Sequence, residues 1–322
     1  MGAPQTADTN YYTTLLALTA SQYREQLQDN VFNNNAALLL LKEKSMVSAQ
    51  VTGEMLQVPI LIGKNETVKS YSMYDTFDVT PQKGVVNAYV KMANYGGFIT
   101  ISDDELDTNS GKEKIVNVLT TKIMQCEESI LAEINDNIYK DGTGNSAKNI
   151  LGLAAMCEAS ATPGAYMGVT NAINWVNKYE TCTAAQVISG LTDLYFKCTD
   201  GREAPDIILA NTNFVTAYET ANRATSGVSI SYPNAKLADA GFISLNFKGI
   251  PMVLDKSLDD NDSGGAGKAF MLNSRFLGLP LKEVGIGDFV KSGNQFAKTA
   301  GMSYRLQLLT DKRKRQGVIV LS

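Results

Sequence analysis

The chain has 322 residues, of which 44% are hydrophobic and 19% charged, with a net charge of −4 and no histidine. A chain of this length can bury about three quarters of its unfolded surface, and this composition is ordinary for a soluble globular protein. The missing histidine excludes Ser-His-Asp and Cys-His nucleophile systems and most zinc sites. The acidic balance gives no bulk attraction to a nucleic-acid backbone.

Other bulk features predict a reduced protein that does not enter a membrane. The four cysteines, Cys126, Cys157, Cys182 and Cys198, lack C-x-x-C spacing, so we expect buried thiols. The longest apolar run, Ala36–Leu41, is too short to cross a bilayer. The first residues also lack the basic flank and apolar core of a secretory signal. We therefore expect a cytoplasmic location, with no membrane partner.

The first half of the chain changes character twice. Residues 1–46 read as a helical arm, with a loose apolar stripe between residues 13 and 44. Residues 47–102 read as an extended excursion, because apolar residues alternate in Tyr71–Val79 and Val86–Met92. Pro81–Gly84 provides a turn. An isolated two-stranded ribbon is only marginally stable in water, so we expect this excursion to lie on a neighbouring subunit.

A long amphipathic helix follows the excursion. Ser102–Glu105 and Ser110–Glu113 both match the capping-box pattern. Apolar residues then recur at steps of three and four from Lys112 to Tyr139, a single stripe about 40 Å long. Glycines in Lys140–Gly144 are suited to terminate the helix. The stripe consists of Ile115, Val118, Leu119, Ile123, Cys126, Ile130, Ile134 and Ile138.

The remaining sequence mixes helices and strands without a regular βαβ repeat, which favours an α+β fold. A helix is predicted after Thr183, and another from Asn211 to about Arg223. The first has an apolar face made of Val187, Leu191, Leu194, Tyr195 and Cys198. Strands are predicted at Asp206–Ala210, Ala269–Leu272 and Gly317–Leu321 and along Met302–Leu308, and a hairpin at Phe242–Leu254 turns near Lys248-Gly249.

Sequence motifs for chemistry are weak. Gly264–Ala269 lacks the first glycine and the hydroxyl of a phosphate loop. Asp259, Asp260 and Asp262 lack the final glutamate of a calcium loop and read as a solvated acidic loop. Carboxylate catalysis by Glu127, Glu128 and Glu133 is an alternative to the polar face of a helix, which we favour. We predict no catalytic, cofactor or metal site, and no enzyme.

One basic run allows two interpretations. Lys312, Arg313, Lys314 and Arg315 could contact DNA or a neighbouring subunit. A charged hairpin turn that faces solvent is the more common explanation. Both interpretations place these four side chains at the surface.

The order of these elements resembles the major capsid proteins of tailed bacteriophages with the HK97-type fold. The resemblance is carried by Val58-Pro59-Ile60, by Ile101–Leu106, by Tyr139–Gly144 followed by Ile150–Leu153, and by Gly249–Val253. It implies five regions. These are an N-terminal arm (1–46), an extended loop with flanking strands (47–102), a peripheral domain (103–183) with a spine helix (about 104–140), an axial domain (184–297) and C-terminal closing strands (298–322).

The resemblance also implies a function, namely self-assembly into the icosahedral head shell that encloses double-stranded phage DNA. The implied partners are copies of the chain in hexamers and pentamers, a portal, a separate scaffolding protein, packaged DNA held by non-specific contacts, and in some shells a decoration protein. An encapsulin-like nanocompartment that packages a cargo enzyme is the alternative. The expected self-assembly residues in the loop are Lys64, Lys69, Tyr71, Met73, Tyr74, Phe77 and Lys83.

Overall fold

The computed structural model describes residues 38, 40–41, 53, 55–82, 84–108, 118–170, 174–226, 244–261, 267–291 and 296–322. The strands are β1 (Met55–Leu61), β2 (Val85–Lys91), β3 (Ala93–Ser102), β4 (Lys178–Cys182), β5 (Ile207–Ala210), β6 (Ser244–Phe247), β7 (Ile250–Leu254), β8 (Lys268–Leu272), β9 (Leu277–Gly278), β10 (Leu281–Ile286), β11 (Val290–Lys291), β12 (Ala297–Leu306), β13 (Leu309–Thr310) and β14 (Gly317–Leu321). The helices are α1 (Asp103–Thr108), α2 (Val118–Ile138), α3 (Gly144–Ala147), α4 (Leu153–Met156), α5 (Val187–Cys198), α6 (Thr212–Ser226) and α7 (Lys256–Asn261).

The chain divides into two compact units. The smaller unit contains the described parts of Tyr95–Glu133 and Glu283–Tyr304. The larger unit contains those of Asn35–Asn94, Ile134–Lys282 and Arg305–Ser322. The unit boundaries fall within β3, α2, β10 and β12, so these two units are drawn differently from the five regions inferred from the sequence, whose boundaries stay predictions.

The smaller unit is built on a sheet in which β12 lies between β10 and β11 and also pairs with β3. The predicted capping box is present at the start of α1. The Ser102 backbone N–H donates to the Glu105 carboxylate (3.0 Å), and the Asp104 N–H donates to Ser102 Oγ (3.3 Å). Lys122 of α2 forms an ion pair with Glu105 at 2.7 Å. The entry to the helical region is therefore stabilised by side chains that the sequence pattern identifies.

The predicted apolar stripe is present along α2. Ile130, Ile134 and Ile138 are buried, while Leu119, Ile123 and Cys126 are half-buried. Residues 109–117 lie outside the described residues, and with them the second capping box and the predicted start at Lys112. The described helix therefore confirms the periodicity from Val118 onward.

The end of α2 explains two glycines of the sequence pattern. Gly142 has φ +84°, which favours glycine. Gly152 lies so close to the helix end that an added Cβ would be 2.2 Å from the Ile138 carbonyl oxygen and 2.6 Å from that of Lys140. A side chain at position 152 would therefore collide with the backbone.

A six-stranded mixed sheet organises the larger unit, in the order β4-β14-β8-β5-β7-β6. The β14/β4 and β5/β7 pairs are parallel and the others antiparallel. α5 and α6 supply apolar side chains to one core cluster together with strands of this sheet. The predicted face of α5 is confirmed, since Val187, Leu191, Leu194 and Cys198 are fully buried.

The turns and caps of the larger unit also follow the sequence. β6 and β7 form the predicted hairpin, with Lys248 and Gly249 both at positive φ, as a tight hairpin turn requires. Asn211 caps α6 by accepting from the Phe214 N–H at 2.9 Å. Of the predicted arm, only Leu38, Leu40 and Leu41 are described, and all three are helical and buried.

Two local predictions are wrong. Tyr71–Val79 is not a strand, because the only described backbone hydrogen bond there closes a turn between Asp75 and Ser72. Asp259 is not in a solvated loop. It lies in α7, and its carboxylate accepts from the backbone N–H of Thr212 at 2.8 Å and from the Thr212 hydroxyl, so it caps α6 from a distant part of the sequence.

Some negative findings apply to the described part of the chain. None of its helices is both long enough and apolar enough to cross a membrane. Within the same residues, no group of three or more Cys, Asp or Glu side chains is placed to hold a metal ion. Asp262, Gly264 and the rest of residues 262–266 lie outside the described residues.

Candidate assembly surface

The extended excursion begins as a regular two-stranded ribbon. β1 and β2 pair antiparallel from Met55↔Lys91 to Leu61↔Val85. Its inner face contains Leu56, Ile60, Ala88 and Val90, all buried. The predicted strand around Val86–Met92 is thus confirmed, although Val86 itself is exposed. We call this paired part the ribbon root.

Hydrogen bonds fix the ribbon root to the larger unit. The Tyr89 N–H donates to the Met167 carbonyl at 3.0 Å. Asn174 Nδ2 donates to the Ile62 carbonyl, and Gln307 Nε2 to the Lys91 carbonyl, both at 2.6 Å. The polar backbone of the root is therefore satisfied by side chains and backbone far away in the sequence.

Residues 62–84 continue beyond the root, and we call them the extended segment. Its ends continue the root, since the Ile62 and Gly63 N–H groups donate to the Gly84 carbonyl at 2.8 and 3.1 Å. The described hydrogen bonds of residues 64–82 are local. Asn65 accepts from Thr67, Asp75 accepts from the Ser72 N–H at 2.8 Å, and Asp78 accepts from Thr80. Such side-chain turns substitute for a strand ladder. The two bonds from Thr80 also hold the pKa of the Asp78 carboxyl below its usual value.

The extended segment and the adjoining root expose an unusual number of large apolar side chains. Tyr74 is 93% exposed and Met73 86% exposed, and the rings of Tyr71 and Phe77 touch mainly each other, with centroids 4.9 Å apart. Burial of one such side chain stabilises by about 1.5–3 kcal/mol. A surface of this kind marks a protein contact. Its exposed members are Leu61, Val68, Tyr71, Met73, Tyr74, Phe77, Val79, Val85, Val86 and Tyr89.

The structure places six of the seven predicted loop residues on this surface. Lys64 and Lys69 are exposed together with Tyr71, Met73, Tyr74 and Phe77. Lys83 lies outside the described residues. Their role in self-assembly stays a prediction, since exposure identifies an available surface and not its occupant.

The basic run is placed differently from both interpretations of the sequence. Arg313 is 1% exposed, and Arg315 is also buried. The Arg313 guanidinium donates to the carbonyl oxygens of Met156 (2.9 Å), Gly164 (2.7 Å) and Ala155 (3.0 Å). Burial lowers the pKa of Arg313 below its usual value. The prediction of a surface position is therefore wrong for Arg313 and Arg315, because the chain uses these two charges to bind its own backbone and carboxylates.

Lys312 and Lys314 remain half-exposed, as candidates for contacts with other molecules. Lys312 forms an ion pair with Glu203 at 3.0 Å, and its ammonium lies 4.2 Å from the centre of the Phe276 ring. Arg315 forms ion pairs with Asp200 and, at 3.3 Å, with Glu203. These ion pairs join residues more than 100 positions apart, so the network could not be predicted from the sequence.

The cysteines are placed largely as predicted. Cys157, Cys182 and Cys198 are buried free thiols, and Cys126 is half-buried. Burial raises the pKa of Cys157 and raises that of Cys198 to about 12. The thiol is therefore the stable form at neutral pH, and the nucleophilic thiolate is suppressed.

Comparisons with known proteins give matches for the structure but not for the sequence. No protein-family model matches the chain, and no curated protein matches its sequence. Solved structures do match. The capsid asymmetric unit of cyanophage A-1(L) has a TM-score of 0.68 at 15% identity, covering 94% of this chain and 97% of that one. The capsid of Myoviridae phage XM1 has a TM-score of 0.59 at 11% identity, covering 100% and 99%.

An encapsulin is also similar. The encapsulin of the holo-SrpI complex from Synechococcus elongatus PCC 7942 has a TM-score of 0.55 at 10% identity, covering 99% of this chain and 96% of that one. The chain therefore has the α+β fold that viral capsids and encapsulins share. More narrowly, it is the HK97-type capsid fold, as the order of sequence elements predicts.

Proposed function

We propose that the chain is a major capsid protein, which self-assembles into the icosahedral head shell enclosing the double-stranded DNA of a tailed bacteriophage. The extended segment is the observation that carries this proposal. It presents apolar side chains that nothing in the described part of its own subunit covers, on a root that is firmly fixed. A shell of overlapping subunits supplies the missing cover.

The energetics support an assembled state. Ordering a residue opposes folding by about 1–2 kcal/mol, and the local turns of the extended segment return little of that. Burial of several aromatic and aliphatic side chains against a neighbour offsets it. Contacts of this heterologous kind close into a shell when the rotation between subunits closes.

The proposal assigns roles to the five regions of the sequence. The arm (1–46) and the extended loop (47–102) would contact neighbouring subunits, and the peripheral domain (103–183) would surround the spine helix. The axial domain (184–297) would meet its copies around fivefold and quasi-sixfold axes, and residues 298–322 would close the fold. Proposed partners are further copies in hexamers and pentamers, a portal, a separate scaffolding protein, packaged DNA and, in some shells, a decoration protein.

An encapsulin-like shell is the second candidate, because the Synechococcus encapsulin spans nearly the whole chain. The two candidates share assembly and differ in contents, and neither requires catalysis by the shell protein. The viral alternative is favoured because two phage capsids match with higher TM-scores (0.68 and 0.59) than the encapsulin (0.55). The virion is then the place of the mature protein, with assembly in the host cytoplasm.

Electron microscopy and analysis of contents test both candidates. Recombinant chain is examined by negative stain for closed shells, and native particles are treated with nuclease, opened and analysed for DNA and protein. We expect closed shells, and native particles that protect double-stranded DNA. A packaged enzyme without genomic DNA would favour the encapsulin alternative, and a chain that stays monomeric under every assembly condition would contradict both.

A further inference from the structure

A groove with a cavity volume of about 860 Å³ lies at the ribbon root. Its lining combines Ile60–Lys64 with Asn174, Trp175, Arg275 and residues from 200–203 and 311–315 of the larger unit. We call it the basic groove. Its basic side chains are Lys64, Arg202, Arg275, Lys312, Lys314 and Arg315. Its acidic side chains are Asp200, Glu203 and Asp311.

The charges of the basic groove are unevenly satisfied. Arg315 binds Asp200 and Glu203, and Glu203 also binds Lys312. Two of the three carboxylates are thus already engaged. Lys64, Arg202 and Lys314 form no ion pair with a carboxylate in the described part of the chain. Six cations against three carboxylates leave the groove positive in a chain whose net charge is −4.

The surroundings of the groove indicate a protein as its occupant. The groove has the volume of a site for a few side chains, and a DNA duplex is too wide to enter it. Leu61, which is 75% exposed, lines the groove and continues into the apolar surface of the extended segment.

We propose that the basic groove receives carboxylate side chains from a second copy of this chain. Other copies are acidic overall, with 33 Asp and Glu against 29 Lys and Arg, so they supply the complementary charge. The inference rests on the proposed shell function and makes it more specific. The groove lies next to the apolar surface of the extended segment. Its charge would fix the position of the neighbouring copy along that contact.

Zero-length cross-linking tests which groups occupy the groove. Shells are assembled from equal parts of unlabelled and nitrogen-15-labelled chain, and a carbodiimide joins lysine amines directly to contacting carboxylates. Mass spectrometry then distinguishes bonds between copies, which carry both labels, from bonds within one chain, such as Lys312–Glu203. We expect mixed-label cross-links from Lys64 or Lys314 in shells, and none from unassembled subunits.

Charge reversal gives an independent test. The variant Arg202→Glu with Lys314→Glu should reduce the yield of shells at least about tenfold at low salt, because like charges facing each other across an interface oppose binding. Lys148→Glu, an exposed charge outside the groove, is the single-charge control. Matched melting temperatures of the free subunits show that the variants fold.

The outcomes separate this inference from the proposed function. If the unaltered chain forms no shells, the proposed function fails first. If shells form, but the groove variants assemble normally and no mixed-label cross-link involves the groove, the inference is wrong. Variant shells that assemble fully but lose bound DNA would identify nucleic acid as the occupant and also overturn it.

Discussion

The six-stranded sheet and the extended segment solve the problem of apolar surface in opposite ways. In the sheet, Leu209, Phe270, Met271 and Val318 are fully buried by elements of the same chain. In the extended segment, residues of similar character, such as Met73 and Tyr74, face solvent. The same chemistry thus stabilises the subunit in one region and is available for association in the other.

This difference predicts which region of the chain acts in folding and which acts in the proposed assembly. The ribbon root has ladder hydrogen bonds, a buried face and anchors from Asn174 and Gln307. Beyond Gly63, which still donates to the Gly84 carbonyl, the described hydrogen bonds of the segment form only local turns. A mutation in the sheet should therefore act on folding, whereas a mutation in the extended segment should act on assembly.

Removal of the extended segment is the largest test of this division. Replacing residues 64–83 by a short Gly-Ser linker should abolish stable shells, because it removes most of the exposed apolar surface. The free subunit should keep its melting temperature to within a few degrees, since the residues removed bury little. Electron microscopy scores the shells, and circular dichroism measures melting. Normal shells from this variant would show that the segment is not the assembly surface.

A matched pair of methionines sharpens the division. Met271→Ala in β8 should lower the free energy of unfolding by about 2–5 kcal/mol, through lost burial and a residual cavity. Met73→Ala in the extended segment should change it by less than about 0.5 kcal/mol. Denaturant titration of the free subunit measures both. Equal destabilisation by the two substitutions would contradict the proposed independence of the extended segment.

A substitution of Arg313 tests whether its charge stabilises the fold, as the structure indicates, or serves a contact at the surface. Arg313→Ala would leave the Met156, Gly164 and Ala155 carbonyls without their donor, and each such group costs about 1–3 kcal/mol. We expect a loss of roughly 3 kcal/mol in unfolding free energy. Arg223→Ala is the control, because its exposed ion pair with Glu219 contributes less than about 1 kcal/mol. If Arg313→Ala is as stable as the unaltered chain, Arg313 does not stabilise the fold, and the interpretation of a surface side chain is favoured.

Sequence reasoning succeeded where the signal is local. Three features depend only on residues a few positions apart. They are the capping box at Ser102–Glu105, the α5 face from Val187 to Cys198 and the turn at Lys248-Gly249. Period-two alternation failed at Tyr71–Val79, because alternation indicates a strand only where a partner strand and a buried face exist. There the apolar residues have neither a partner strand nor a buried face among the residues that the structure describes.

Long-range electrostatics were beyond the sequence for a related reason. A run such as Lys312–Arg315 looks like a solvated turn, and its charge gives no hint that Arg313 reaches the carbonyls of residues 155–164. The basic groove likewise draws its lining from five separate stretches of the sequence. The zero count of histidine could exclude mechanisms, but it could not locate a surface.

The smallest expected effect is the pH dependence of stability that the buried Cys198 thiol causes. It tests the burial of the sheet's core, the first of the two regions compared above. Burial raises its pKa from 9.0 to about 12, so between these values the unfolded chain releases the proton while the folded chain retains it. Folding is thus favoured fully below pH 9, and this contribution is lost as the pH rises toward 12, by up to about 1.4 kcal/mol per pH unit. At pH 10 the loss should be about 1 kcal/mol. Cys198→Ala, compared with the unaltered chain by denaturant titration at pH 7 and pH 10, should show a correspondingly smaller decrease. Equal decreases in the two proteins would contradict the burial of the Cys198 thiol in the core cluster that α5 forms with the sheet.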